Sequence, residues 1–307
     1  MNSNKVKSET RDKVLKAIKK LNYVPNTSAQ MLAKKSNKVI GVISSLPISD
    51  PFYSYMDDCI GDECQKYGYG TLYVVCHENE NGCDKEISML YGKVDAFVLL
   101  GEGKILPENV KKLVEMRMPV ALFKSGIIMD GAISVDIDNR KSGELAANYL
   151  YRKGFRKIGY LHGDAKGEFS EGRERYDGFV KATSKLGLRL KKEFVGDRNY
   201  KVSYNLAERI LESGLDALFC ETDIMAYGIC AALADKGIKI PDRLAILGFD
   251  DIKFRNFETT IHLSTVSQPI RRMAACIVGA LVNRIENEVP YGKEQLFETK
   301  IVEGETT

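Results

Sequence analysis

At 307 residues and 44% hydrophobic content, the chain is long enough for about two globular domains. No run approaches the roughly 18 apolar residues of a membrane span, and the charged first twenty residues do not resemble a secretory signal, so we expect a cytoplasmic protein without a membrane partner. Net charge is +3, but ten Lys or Arg against two acidic residues give residues 1–38 a charge of +8 and leave −5 elsewhere. This basic segment indicates a phosphate contact, unless it is only a solvated helix face.

The cysteine and histidine content argues against a metal or disulfide scaffold. Seven cysteines occur without any CxxC pair, an odd number that fits neither a disulfide framework nor a structural zinc site. The three histidines, His77, His162 and His262, do not have the helical spacing of a zinc hydrolase. We therefore predict reduced thiols, mostly buried, with no metal centre and no cofactor.

The N-terminal segment predicts two short helices. Ser8–Leu21 has an acidic residue in its first turn and apolar residues at helical spacing, so it forms an amphipathic helix whose apolar stripe needs a partner. Pro25 then interrupts the chain, and Asn26 can cap a second helix from Thr27 to about Lys34. Because that helix is shorter than the ~12 residues needed for autonomous stability, we expect it to form only against a surface or a ligand.

From Lys38 onward, short β-rich runs alternate with amphipathic stretches. The predicted strands are Val39–Ser44, Thr71–Val75, Ala96–Leu100, Val120–Phe123, Ala132–Val135, Lys157–Leu161, Ala217–Phe219, Leu244–Gly248 and one near Glu298–Val302. The predicted helices are Tyr53–Tyr67, Asn139–Lys153, Arg173–Leu186, Val202–Glu212, Asp223–Lys236 and Gln268–Glu286. This alternation predicts an α/β protein with parallel sheets covered by helices on both faces. Because the strands are too many for one ordinary sheet, we predict two doubly wound lobes.

The residues just after the predicted strands are strongly polar, and ligands of open α/β sheets collect there. These positions hold Ser49, Asp50, Phe52, Tyr53, Asp138, Asp164, Thr222, Asp223, Asp250 and Asp251. Carboxylates accept hydrogen bonds from hydroxyls and aromatic rings cover C–H surface, so two facing lobes of this kind suit a polyhydroxylated ligand. The alternative for each Asp, and especially for Asp223, is the N-cap of the following helix.

Four stretches resemble one family in the same order. They are KSETRDKVLKAIKKLNYVPNTSAQMLAKKSNKVIGVI (Lys7–Ile43), DIDNRKSGELAANYLYRKGFRKIGYLHG (Asp136–Gly163), FCETDIMAYGICAALADKGIKIPDRLAILGFDD (Phe219–Asp251) and HLSTVSQP (His262–Pro269). Together they resemble the lactose/galactose repressor family of bacterial transcription regulators. The resemblance implies a helix-turn-helix headpiece, a hinge helix, and two lobes of the periplasmic-binding-protein type I kind that dimerise and bind an effector between them.

The resemblance also implies a division of the chain. Residues 1–25 match the third headpiece helix and residues 26–37 the hinge helix and linker. Residues 38–151 with 270–297 match the N-terminal lobe, and residues 152–269 with 298–307 match the C-terminal lobe. The first two headpiece helices of the family would lie upstream of Lys7, where only MNSNKV stands, so we expect either a shortened chain or a relative that senses without reading DNA.

By the same resemblance, Asn26, Ala29 and Leu32 match the hinge helix, whose leucine is a wedge in the minor groove of operator DNA. The alternative is that Leu32 packs on the core. A short basic helix of this kind would fold on DNA beside its symmetry mate in a homodimer. We therefore predict operator DNA and a second copy of the chain as partners.

The family's effector-contacting positions fall on Asp138, Arg175, Thr222, Asp250 and Gln268, and its aromatic lining falls on Phe52 and Tyr53. An arginine in the cleft can grip ring hydroxyls or a carboxylate with both of its terminal nitrogens. The alternative for Arg175 is an exposed position at a helix start. The alternative for Phe52 and Tyr53 is that their rings pack in the core. Thr222 replaces an amide common in the family, so the effector's identity is not carried over beyond a sugar or sugar derivative.

Two rival functions remain at this point. A sugar-binding receptor of a transport system shares the fold and the cleft, but the basic hinge-like segment argues against it. An enzyme lacks support, because the chain has no GxSxG elbow or P-loop, and GEGK at Gly101–Lys104 lacks a third glycine. Asp250 and Asp251 are adjacent at a strand end and point apart, which argues against a catalytic pair. We predict a regulator, most simply a repressor, in which effector binding selects one lobe orientation and changes the hinge spacing across the dimer.

Overall fold

A computed structural model describes residues 8–20, 36–77, 81–164, 170–252, 261–290, 292 and 294–307. The chain divides into a unit of residues 1–38 and a main body of residues 39–307. In the first unit, helix α1 (Ser8–Lys20) has Glu9 in its first turn, paired with Lys13 at 3.1 Å, and Val14 is 41% exposed. Asn26, Ala29 and Leu32 lie outside the described residues, so the hinge contacts stay a prediction.

Strands and helices alternate along the main body. Its elements in chain order are β1 (Val39–Ser44), α2 (Pro51–Lys66), β2 (Gly70–Val75), α3 (Asp84–Leu90), β3 (Ala96–Leu100), α4 (Pro107–Glu115), β4 (Val120–Phe123), β5 (Ala132–Ile137), α5 (Asn139–Arg152), β6 (Ile158–His162), α6 (Ser170–Lys185), β7 (Lys192–Val195), α7 (Tyr200–Glu212), β8 (Ala217–Cys220), α8 (Asp223–Asp235), β9 (Ala245–Asp250), β10 (Ser264–Ser267), α9 (Ile270–Asn287), β11 (Glu294–Phe297) and β12 (Lys300–Val302).

The strands form two six-stranded sheets, one in each lobe. The first has the order β11-β5-β4-β3-β1-β2, with every neighbouring pair parallel. The second has the order β12-β10-β9-β8-β6-β7, and only β10 and β12 pair antiparallel. Both orders reverse direction once, at β1/β3 and at β6/β8, which is the switch point where open sheets bind ligands. Two doubly wound lobes are therefore confirmed.

The core explains why the central strands form where they do. Strands β3, β4 and β8 are buried at every position, as expected for strands covered on both faces by helices. Helix α9 packs against α2 and against β3, β4 and β5, so the chain returns to the first sheet after completing most of the second. The crossing predicted from Gln268–Glu286 is present, with β11 in the first sheet and β12 in the second.

Helices α5 and α6 approach each other closely because both contain glycine at the contact. A Cβ on Gly143 would overlap the backbone oxygen of Arg175, and one on Gly178 would overlap that of Arg140. Helix α5 therefore packs against α6 and β12. The domain boundaries expected from the sequence stay a prediction.

Three strands and two helices were not predicted, namely β7, β10, β11, α3 and α4. The strands have only four residues each, and β7 and β11 lie at sheet edges and are largely exposed, so they lack an apolar run. All seven cysteines are free thiols, six of them buried. Among the described residues, no helix is both long and apolar enough to cross a membrane.

Candidate functional site

A pocket lies between the carboxyl ends of the two sheets. It is lined by Asp50, Pro51, Phe52, Tyr53, Lys124, Glu171, Arg175, Arg198, Thr222, Ile224, Asp250 and Ile252. Five of the seven effector positions expected from the sequence are in this lining, namely Phe52, Tyr53, Arg175, Thr222 and Asp250. The structure therefore brings together side chains from both lobes at the place where doubly wound sheets bind ligands.

The aromatic wall of the pocket is built by the start of α2. Asp50 caps this helix by accepting hydrogen bonds from the backbone N–H groups of Phe52 and Tyr53, at 3.0 and 3.1 Å. The Phe52 ring stacks on Phe123, with centroids 6.0 Å apart, and meets Tyr53 edge to face. Both aromatics are buried as well as lining the pocket, so the core and lining interpretations hold together.

A buried ion network crosses from the first lobe to the second. Lys124, which follows β4, is 2% exposed, and its Nζ lies 2.6 Å from the Glu171 carboxylate at the start of α6. Arg198 contacts Glu171 at 3.3 Å and Glu221 at 3.4 Å. Burial by itself raises the pKa of Glu171, but Lys124, Arg198 and Arg175 outweigh it and lower that pKa to about 2. The Glu171 carboxylate is therefore ionised at neutral pH.

Arg175 is buried rather than exposed. It is 2% exposed, donates hydrogen bonds to the Glu221 backbone oxygen at 2.8 Å and to Asn139 Oδ1 at 2.9 Å, and lies 3.4 Å above the Phe249 ring centroid. The alternative of an exposed arginine at a helix start is therefore wrong. Its Nε is buried and finds no hydrogen-bond partner among the described residues.

Asp250 and Gln268 form a buried pair at the second lobe. Gln268 Nε2 donates to Asp250 Oδ1 at 2.7 Å, and the Gln268 oxygen lies 3.5 Å from Lys124 Nζ. Burial raises the pKa of Asp250 to about 7, although Arg175 and Lys124 act in the opposite direction. Gln268 is thus connected to the pocket through Asp250 without being in its lining.

The neighbouring acids have structural partners. Asp251 accepts a hydrogen bond from the Ser267 hydroxyl at 2.9 Å, away from the pocket lining. Asp223 accepts from Thr265 Oγ1 at 2.7 Å and from the Ile252 backbone N–H at 2.8 Å. The N-cap expected of Asp223 is occupied instead by Thr222, so Asp223 joins the ends of β9 and β10. The Thr222 hydroxyl is buried without a partner among the described residues.

Asp138 lies apart from the lining. Its carboxylate caps α5 by accepting from the Lys141 backbone N–H at 2.9 Å, which is the alternative weighed for every Asp after a strand. Two nearby residues contact the charged side chains of the pocket instead. Asp136 pairs with Lys124 at 3.5 Å, and Asn139 accepts a hydrogen bond from Arg175. The role of Asp138 in effector binding stays a prediction.

Three charged residues in the lining were missed, namely Lys124, Glu171 and Arg198. Lys124 directly follows a correctly predicted strand, so its position was available to the rule that ligands collect at strand ends. Arg198 follows β7, which was not predicted, and Glu171 precedes the predicted start of its helix. In the described part of the chain, no group of three or more His, Cys, Asp and Glu side chains is arranged to hold a metal ion.

Comparisons with known proteins agree on one family. Residues 147–307 match the profile of the periplasmic binding protein-like domain, and residues 1–26 match that of bacterial regulatory proteins of the lacI family. Catabolite control protein A of Staphylococcus epidermidis is 30% identical over 92% of this chain and 85% of its own length. The HTH-type transcriptional repressor PurR of Pectobacterium carotovorum is 29% identical over 92% of this chain and 84% of its own length.

One solved structure adds a ligand-bound relative. A periplasmic binding protein/LacI transcriptional regulator of Alkaliphilus metalliredigens, complexed with D-xylulofuranose, is 26% identical, with a TM-score of 0.70 over 88% of this chain and 99% of that one. The two sequence relatives are named as a control protein and a repressor, and this favours the regulator prediction over the transport-receptor alternative.

Proposed function

Because this chain belongs to the lacI family of bacterial regulatory proteins and is a transcriptional regulator, we propose that the pocket between its lobes binds a sugar-like effector and that its occupancy changes the affinity for operator DNA. The chain acts as a homodimer in the cytoplasm, without a cofactor and without catalytic activity. The effector contacts are Phe52, Tyr53, Arg175, Thr222 and Asp250, with Gln268 supporting Asp250. Asn26, Ala29 and Leu32 supply the hinge contact with DNA.

One observation carries the assignment of the pocket. The Thr222 hydroxyl and the Arg175 Nε are buried in it without hydrogen-bond partners among the described residues. A buried polar group without a partner costs on the order of 1–3 kcal/mol, so such groups are retained where a ligand supplies the missing bond. A hydroxyl and a guanidinium N–H are suitable partners for the hydroxyls of a sugar.

The coupling to DNA follows from the two-lobed arrangement. The Lys124–Glu171 ion pair joins one lobe to the other, so a ligand among these side chains binds one relative lobe orientation better than another. Differential binding is the only means by which a ligand shifts such an equilibrium.

The test measures DNA affinity with and without ligand. Fluorescence anisotropy of a labelled duplex should give weak binding that falls steeply between about 50 and 200 mM salt, because phosphate contacts release counterions. A sugar that stabilises the protein should change that affinity in the wild type and not in Asp250→Ala, while both bind DNA equally in its absence. Salt-independent binding, or an affinity unchanged at saturating ligand, would contradict the proposal.

A further inference from the structure

Glu171 occupies the centre of a ring of cations. Its carboxylate lies 2.6 Å from Lys124 Nζ, 3.3 Å from Arg198 and 3.9 Å from Arg175. Lys124 and Arg175 are each 2% exposed, so two of these three cations are shielded from solvent. A carboxylate with three cationic neighbours in a ligand pocket occupies the kind of position that an anionic ligand group would take.

The pocket is nearly filled by these side chains. Its free volume is about 40 Å³, enough for only a few water molecules. A sugar therefore enters only if lining side chains move. Glu171 is in the first turn of α6 and Arg198 follows β7, whereas Lys124 is fixed by Asp136 at 3.5 Å and Arg175 by Asn139 and Glu221. Within the described ranges, the contacts of the Glu171 carboxylate are its ion pairs with Lys124, Arg198 and Arg175.

Charge balance decides what can replace Glu171. A neutral ligand in its place would leave Lys124, Arg175 and Arg198 facing one another with less compensation, and an uncompensated buried charge is strongly unfavourable. Burial lowers the pKa of Lys124, but Glu171 and Asp136 outweigh it and raise that pKa, so the ammonium depends on an anionic group at the Glu171 position. An anionic group would preserve the balance that Glu171 now provides.

We propose that the effector carries an anionic group, a carboxylate or a phosphate, that takes the position of the Glu171 carboxylate among Lys124, Arg175 and Arg198. This rests on the proposed function and narrows its ligand to a sugar acid or a sugar phosphate. The hydroxyls of the ligand then meet Asp250 and Thr222, and its C–H surface meets Phe52. Glu171 is a competitor for the anion site as well as a structural neighbour of its cations.

The experiment compares ligands matched in everything except charge. D-glucose, D-glucuronate and D-glucose 6-phosphate, with the corresponding galactose series, are titrated by calorimetry and thermal unfolding at constant ionic strength. Inorganic phosphate is included as an anion without a sugar. The variants are Glu171→Gln and Lys124→Gln, and the controls are Glu208→Gln and Lys236→Gln, which carry the same changes in an exposed pair on α7 and just after α8.

The anionic members should bind at least about tenfold more tightly than their neutral parent, since hydrogen bonds to charged groups are the strong ones. Lys124→Gln should weaken the anions about tenfold, Glu171→Gln should tighten them, and the controls should change neither. The carboxylate and phosphate arms then identify which anion the site takes. Circular dichroism establishes that each variant is folded, and if Lys124→Gln is not, Glu171→Gln decides, because the proposal requires the anions to bind this variant more tightly than the wild type.

Three results would overturn the inference. If neutral sugars bind as tightly as their anions, the effector is not an anionic sugar, but the proposed function stands. If inorganic phosphate alone binds as tightly as the sugar anions, the effector is again not an anionic sugar. If neither class binds the folded wild type, the result counts against the proposed function as well.

Discussion

The ionised side chain of Asp250 should make the wild-type protein less stable at alkaline pH than a variant with a neutral side chain at this position. Burial raises its pKa from 3.8 to about 7. When the pKa of a carboxyl is higher in the folded than in the unfolded state, its contribution to stability is fully present below the unfolded-state pKa. That contribution is lost as the pH rises through the folded-state pKa. A shift of about 3 units at about 1.4 kcal/mol each gives a penalty of about 4 kcal/mol at pH 8, against less than about 1 kcal/mol at pH 4.

Asp250→Asn removes that penalty while its amide oxygen still accepts the hydrogen bond from Gln268. Because the raised pKa already includes the attraction of Arg175 and Lys124, we expect the variant to exceed the wild type in unfolding free energy by about 4 kcal/mol at pH 8 and by less than about 1 kcal/mol at pH 4. Urea unfolding at both pH values measures this, with Asp251→Asn as the matched control outside the pocket lining. A stability difference that is the same at both pH values would contradict a raised pKa at Asp250.

Three further perturbations test the surrounding structure. Glu171→Gln should lower the unfolding free energy at pH 7 by about 2–4 kcal/mol, because it removes a stabilising ionised carboxylate. The wild type should lose this contribution only as the pH falls from the unfolded-state pKa near 4.5 through the folded-state pKa of about 2. Acid titration of both proteins by circular dichroism measures this, and parallel curves would contradict the prediction. Gly143→Ala should cost about 1–3 kcal/mol because its Cβ overlaps the Arg175 backbone, whereas Gly61→Ala, which meets nothing within 4 Å, should be neutral or stabilising; equal melting temperatures would refute the α5–α6 contact. Thiol labelling of the native protein should modify Cys276 first and the six buried cysteines only on unfolding, and rapid labelling of all seven would contradict the packing.

The central strands could be predicted from the sequence because the apolar run that forms each of them is a local pattern. Val39–Ser44, Ala96–Leu100 and Val120–Phe123 are continuous apolar runs, as buried parallel strands require, and their predicted bounds match the structure. The edge strand β7, with the sequence KEFV, is half charged and exposed, so nothing in its pattern separates it from a loop. Helix α2 begins two residues earlier than predicted, because Asp50 caps it and Pro51 fits its first position.

The site was predictable where a position follows a strand and unpredictable where it depends on tertiary contact. Arg175, Thr222 and Asp250 reach the pocket as expected, whereas Asp138 is used as a helix cap. The burial of Arg175 depends on the close approach of α5 and α6, which brings Asn139 within 2.9 Å, and no periodicity encodes that contact. The ion network around Glu171 joins four separate segments, so only the folded chain reveals it.

Thermal unfolding of the purified chain against neutral sugars, sugar acids, sugar phosphates and nucleobases tests the effector pocket most directly. A ligand at 100 times its Kd adds about 2.7 kcal/mol of stability, which is readily measured. We predict that one sugar class raises the unfolding temperature of the wild type and leaves the unfolding temperature of folded Arg175→Ala unchanged. A shift of equal size in both proteins would place the ligand elsewhere, and no shift with any sugar class would contradict the assignment of the pocket as a sugar-effector site.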